Sequence, residues 1–297
     1  MDIRNVQKTG SMFYVYLPTS WVKQFNIKAG TKVSTHQKND GTLSLNPQIK
    51  ERELQKLNLN LSKENMHNIN KLIVACYVNP LKSFSINLEE ELDISKLLLQ
   101  KKLLSVEMVE FDGKHITCKS PFSVDDPLSL LKTMIKKIKN LLYVMRKNYN
   151  KELIERYEEE IDRSKLHVSK SVIGMLTHSK PSTYKIIELH YMEIIARDLE
   201  KLVDHLKEIP GSETKYLSTI DKAITCLDNQ FTALEKRSDD LPYTNAMEFA
   251  KKAGDVPFQK VKDELTYHKI RVKAAFEAIS ENLVNWSITE EIYKKTK

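Results

Sequence analysis

Glycine occurs only seven times in this 297-residue chain, roughly 2% where about 7% is usual. Folds that cradle phosphates in glycine-rich loops, or that turn sharply every few residues, need more than that. Helix must therefore dominate. No G-x-G-x-x-G, Walker-type G-x-x-x-x-G-K, G-x-S-x-G or H-E-x-x-H run is present, so nucleotide-binding, serine-hydrolase and zincin chemistry lack their sequence support, and an enzyme is not expected. With 41% hydrophobic and 29% charged residues the chain has an ordinary globular composition, and its length suits two or three domains. No apolar run approaches the roughly 18 residues that would span a bilayer, so membrane insertion is not expected. Asp2 and Arg4 open a segment unlike a signal peptide, and the three distant cysteines, Cys76, Cys118 and Cys226, suit reduced thiols, so the expected location is cytoplasmic.

The net charge of +7 is unevenly spread. Residues 1–50 carry seven Lys/Arg against two Asp/Glu, and the remainder is nearly balanced. A basic segment on a nearly neutral body points to an anionic partner at the N-terminus, or to a solvated basic face.

Residues 1–47 read as strands and turns around one short helix. Both alternating sets of the run Met12–Leu17 are apolar, which predicts a strand covered on both faces, more than so short a unit can achieve alone. A partner chain is expected. Pro18 ends the strand, Thr19 or Ser20 is positioned to cap a helix over Trp21–Phe25, and Asn26 to close it in the left-handed region. Gly30 then turns the chain, residues 32–38 form a strand, and Asp40-Gly41 turns back into 42–45.

The order I3-R4-N5-V6, T9-G10-S11, F13-Y14-V15-Y16-L17-P18, W21-V22-K23, I27-K28-A29-G30 and G41-T42-L43-S44-L45 resembles the swapped-hairpin AbrB/SpoVT family over the first 47 residues. That resemblance implies two chains interleaved into one dimeric DNA-binding domain. By position, Arg4 matches a contacting arginine of the first strand and Lys23 a basic position of the helix. Ser11 stands where an arginine often follows the loop glycine, and Lys8 adds charge nearby. Such side chains would neutralise phosphates and give salt-dependent, weakly base-selective binding. A dimerisation clasp with a solvated basic face is the alternative.

Residues 48–122 alternate strand and helix patterns and predict a small α/β layer. Leu57, Leu59 and Leu61 alternate; Ser62 is placed to cap a helix to Tyr77 that Asn79-Pro80 stops; Phe84, Ile86 and Leu88 alternate again. A helix is expected from Asp93 to Lys102, then strands 106–111 and 115–119 around Asp112-Gly113. His115 and Cys118 are predicted to face opposite ways and share no metal.

Residues 123–297 carry helical spacing almost throughout and predict an antiparallel bundle of five helices. Asp126-Pro127 starts the first, the third runs from about Tyr184 to Ile209, and the last follows Val256-Pro257 and includes Val261. On the third helix His190, Glu193, Arg197, Glu200 and Asp204 form a polar stripe beside an apolar one. Glu200/Asp204 repeats the E-x-x-x-D spacing of Glu158/Asp162 on the second helix. If those helices are antiparallel neighbours, four carboxylates converge and a divalent or iron-type metal ion would relieve their repulsion. Surface salt bridges through Arg197 are the other reading.

E193-I-I-A-R197-D198-L-E200-K-L-V-D204-H205 resembles the signature helix of PhoU-type phosphate-uptake regulators, and Y157-E158-E-E-I-D162-R163 an acidic segment preceding it. The resemblance implies an all-α bundle that holds metal ions at Glu158, Asp162, Glu200 and Asp204, with Glu193 as an outer participant and Arg197 and His205 orienting them. Together the two resemblances imply a mainly α, multidomain, homodimeric transcription regulator responsive to phosphate. The alternative is a PhoU-type adaptor that docks on a phosphate transporter or sensor kinase without touching DNA.

Overall fold

The computed structural model describes residues 3–37, 41–47, 54–62, 65–91, 107–119, 125–177, 184–235, 242–258 and 260–295. The chain is mainly helical and divides into two units, Met1–Glu53 and Leu54–Lys297.

In the first unit, β1 (Gln7–Thr9) and β2 (Met12–Tyr14) form a hairpin in which Thr9 faces Met12 and Lys8 faces Phe13. Gly10 leads its two-residue turn at φ 60°, a conformation that costs glycine nothing. The expected strand over residues 12–17 is therefore shorter: among the described residues its ladder with β1 ends at Tyr14. Helix α1 (Thr19–Gln24) begins at Pro18 with no side-chain cap, so neither Thr19 nor Ser20 caps it; both already lie inside the helix. Its end follows the expectation. Asn26 takes φ 49°, its N–H bonds to the Lys23 carbonyl and that of Ile27 to Val22, a Schellman closure. β3 (Ser34–Gln37) and β4 (Leu43–Asn46) pair antiparallel, with Gly41 at φ 80° between them; Asp40 lies outside the described residues.

The second unit begins with a four-stranded sheet in the order β5-β6-β8-β7, formed by β5 (Gln55–Leu61), β6 (Leu81–Leu88), β7 (Glu107–Phe111) and β8 (His115–Lys119). β5 and β6 are parallel, joined through helix α2 (Met66–Val78); the other pairs are antiparallel. Period-two alternation sorts the two faces. Phe84, Ile86, Leu88, Ile116 and Cys118 are buried against Ile69, Ile73 and Cys76 of α2, while Ser85 bonds Asn58 and Asn87 bonds Asn60, each at 2.7 Å, on the other face. Asn65 caps α2 by accepting from the N–H of Asn68, where Ser62 was expected; Ser62 lies three residues too early to reach that N–H. The expected helix at 93–102 lies outside the described residues. His115 is exposed and bonded to Asp112 at 2.9 Å, and Cys118 is buried beside Cys76, so they do face apart. Burial pushes the Cys118 thiol up to about 11.

Six further helices complete the unit: α3 (Pro127–Lys147), α4 (Lys151–Thr177), α5 (Ile186–Leu206), α6 (Thr214–Glu235), α7 (Tyr243–Gly254) and α8 (Glu264–Lys295). Asp126 caps α3 through the Ser129 N–H with Pro127 in the first turn, as expected. Cross-helix bonds establish the directions. Glu158 meets Lys207 and Ser169 meets Glu193, so α4 and α5 are antiparallel; Lys185 meets Glu290 and Asp198 meets Asn282, so α5 and α8 are too. Helix α7 is the departure from the five expected. Pro242 opens it, and Ala246, Phe249 and Ala253 bury one narrow stripe against α8, where Phe276 lies 6.2 Å from Phe249. Val261 precedes α8 and is exposed, because Asp263 starts that helix by accepting from the Thr266 N–H. Among the described residues no helix is long and apolar enough to cross a membrane.

The core of the bundle is continuous from Leu131 and Ile138 of α3 through Leu199 of α5 to Phe276 and Leu283 of α8, all fully buried. Truncating Phe276 to Ala leaves a cavity between α7 and α8 and is expected to cost about 3–5 kcal/mol, read as a lowered denaturation midpoint in a urea titration.

Candidate functional site

Two groups of expected site residues lie in the two units. In the first unit Arg4, Lys8, Ser11 and Lys23 are all solvent-exposed. Pairing of Lys8 with Phe13 across the hairpin sets the Lys8 ammonium 5.5 Å from the centre of that ring, a cation–π contact. Lys23 is in the last turn of α1, one residue from the Schellman closure. Around them, none of the described residues of this unit is buried. Ile3, Val6, Met12, Phe13, Val15 and Tyr16 are each about half exposed or more.

In the second unit α4 and α5 bring three carboxylates together. Glu158 and Asp162 stand one turn apart on α4, and Asp204 faces them from α5, with a carboxylate oxygen of each within 4.8 Å of the others. All three are partly buried. Oxygen donors of this kind suit hard cations; 4.8 Å is the separation of two opposite ligands around calcium, and the smaller magnesium or manganese would draw them closer. The set fits such an ion by donor type.

The protein also supplies a cation of its own there. Lys207, three residues after Asp204, bonds Glu158 at 2.9 Å. Burial pulls the Lys207 ammonium down, but the bond to Glu158 and the charges of Glu158, Asp204 and Glu208 outweigh it and leave its pKa raised. Sequence reading missed this residue, although its i,i+3 position after Asp204 was the available signal. A metal ion at the cluster has to displace or share with it.

The other residues expected here lie elsewhere. Glu200 is on α5 one turn before Asp204 and is not one of the three that converge. Glu193 is eleven residues before Asp204, about 16 Å of helix, too far to take part; it accepts from Ser169 instead. Arg197 pairs with Asp198 at 3.6 Å and so does not orient the cluster. His205 also turns away, because one residue advances the helix by about 100°: it meets His268 and Arg271 of α8. Asp198, which sequence reading passed over, is almost fully buried and held by Lys201, Arg197 and Asn282.

A buried cation joins the sheet layer to the bundle. Lys170 of α4 lies 4.2 Å from the centre of the Tyr77 ring of α2, and His167 stands edge-on to the same ring. Burial lowers the pKa of both Lys170 and His167.

No protein-family model matches the chain, and neither a curated protein nor a solved structure matches it significantly.

If the carboxylate cluster is a cation site, Lys207→Gln removes the competing ammonium. Thermal unfolding of this variant is expected to shift further upward with added Mn2+ than that of wild type. Thermal unfolding that does not respond to Mn2+ in either protein would mark the cluster as a salt bridge alone.

Proposed function

We propose that this chain is a homodimeric, phosphate-responsive transcription regulator. In this reading its N-terminal unit pairs with that of a second copy and binds DNA through Arg4, Lys8, Ser11 and Lys23. The bundle senses or transmits phosphate status, with a divalent or iron-type ion at Glu158, Asp162 and Asp204. The single observation that carries it is the state of the first unit: its hairpin and helix are formed, yet none of its described residues is buried.

A segment that exposes Met12, Phe13, Val15 and Tyr16 has not met its burial requirement within one chain, since a hydrophobic patch of that kind marks an association site. A second copy satisfies it with the same strands, as in the swapped-hairpin family that the sequence resembles. Exposed Lys8 and Lys23 then recur on both halves of the dimer and double the positive surface available to phosphates. This supports an interface whose affinity comes from backbone neutralisation, with counterions released on binding.

The PhoU resemblance supplies the link to phosphate. Support for it in the bundle is the antiparallel α4–α5 pair with acidic residues facing across it. Coupling between the units would require that a ligand of the bundle bind one arrangement of the dimer better than another.

Fluorescence anisotropy with duplex DNA from phosphate-transport promoters tests the reading. Wild type is expected to bind at about 50 mM salt and to lose on the order of 10- to 100-fold in affinity by about 200 mM, with Arg4→Ala/Lys8→Ala weaker at both. A folded dimer that does not bind at low salt would leave the hairpins a dimerisation clasp and favour an adaptor for a phosphate transporter or sensor kinase.

A further inference from the structure

His205 of α5 and His268 of α8 approach with their Nδ1 atoms 3.1 Å apart. Their ring centroids lie 5.3 Å apart, and Tyr267 stands edge-on to His205. One turn along α8, Arg271 donates its Nε–H to Nε2 of His205 at 3.4 Å. A guanidinium does not give up its proton, so that Nε2 is an acceptor and carries none. His205 therefore holds its proton on Nδ1 and donates it to Nδ1 of His268, whose own proton is on Nε2. The neutral imidazole is the form that ligates metals.

Both imidazoles are only partly buried, so an ion can reach them from solvent.

We propose that His205 and His268 form a chelating pair for a borderline transition-metal ion of the zinc, nickel or copper class, tying α5 to α8. The geometry is close to what such an ion needs. Two imidazole nitrogens at 2.0–2.1 Å in a tetrahedral site are about 3.4 Å apart, so the two Nδ1 atoms need only separate slightly as the ion replaces the shared proton. That proton moves to Nε2 of His205, and no net charge leaves the ring. The new Nε2–H then opposes Arg271, which is exposed and held to the ring by one long bond, and which swings aside into water. Waters complete the ion's shell.

This site is chemically distinct from the acidic cluster on the preceding residue. Asp204 faces hard oxygen donors on α4, whereas His205 offers nitrogen to α8, and nitrogen donors select zinc, nickel and copper over magnesium or calcium. The proposal stands whether or not the carboxylates hold an ion.

The test uses the full chain stripped with chelator, titrated with Zn2+ by calorimetry and with Co2+ by visible absorption. Wild type is expected to bind with a cobalt spectrum showing nitrogen ligation. His268→Gln should weaken binding by at least about 10-fold and abolish that spectrum. Arg271→Gln should tighten binding, because it removes the opposing N–H. Glu158→Gln/Asp162→Asn should leave the nitrogen-ligated spectrum in place. His205→Asn serves as the second ligand variant should His268→Gln fail to fold. Absence of Zn2+ binding by wild type, retention of the spectrum in the folded histidine variants, or its loss in Glu158→Gln/Asp162→Asn would overturn the proposal.

Discussion

Removal of apolar surface from water governs both units of this chain, and it is satisfied in only one of them. From Leu54 onward the helices close around a continuous core in which Leu131, Ile138, Leu199, Phe276 and Leu283 are wholly buried. α8 depends on this most, since its buried residues include Lys269, Lys273, Ser287 and Glu290 as well as Phe276 and Trp286. Each of those polar groups needs a partner in place. Lys273 finds it at the carbonyls of Ala253 and Gly254 that end α7, Lys269 at Glu213, and Glu290 at Lys185. Before Glu53 the balance is reversed: the hairpins form, but Ile3, Met12, Phe13 and Tyr16 stay largely in water.

That contrast separates two kinds of site. The bundle is rigid enough to hold side chains in defined geometry, and consecutive residues of α5 serve different neighbours. Asp204 points to α4 and its carboxylates, and His205 points to α8 and its imidazole. The first unit instead offers a surface whose geometry a second copy would complete. Its basic side chains sit on that surface, so any role in holding an anion is tied to association.

Helices were the most legible feature, because burial of one stripe imposes a 3.6-residue period on Leu131, Met134, Ile138 and Met145 regardless of what packs against them. Strand alternation was equally direct at Phe84, Ile86 and Leu88. Helix α7 escaped because two of its three buried positions are alanines, which carry little hydropathy signal. Caps were misplaced at Ser62, Thr19 and Ser20, because several polar residues compete at each start and backbone direction chooses among them. At the site, the E-x-x-x-D spacing put Glu158 and Asp162 on one face, and of the expected partners on α5 Asp204 meets them while Glu200 does not. The contribution of Lys207 and the histidine pair was not legible, because each depends on the register between helices far apart in sequence.

Sedimentation equilibrium tests most directly the claim that a second copy covers the N-terminal strands. Between about 1 and 100 μM, the full chain is expected to sediment at twice its 34.5 kDa mass, and Phe13→Glu to shift it toward monomer while the helical circular dichroism signal is kept. A wild-type monomer throughout that range, or a dimer indifferent to Phe13→Glu, would contradict the account.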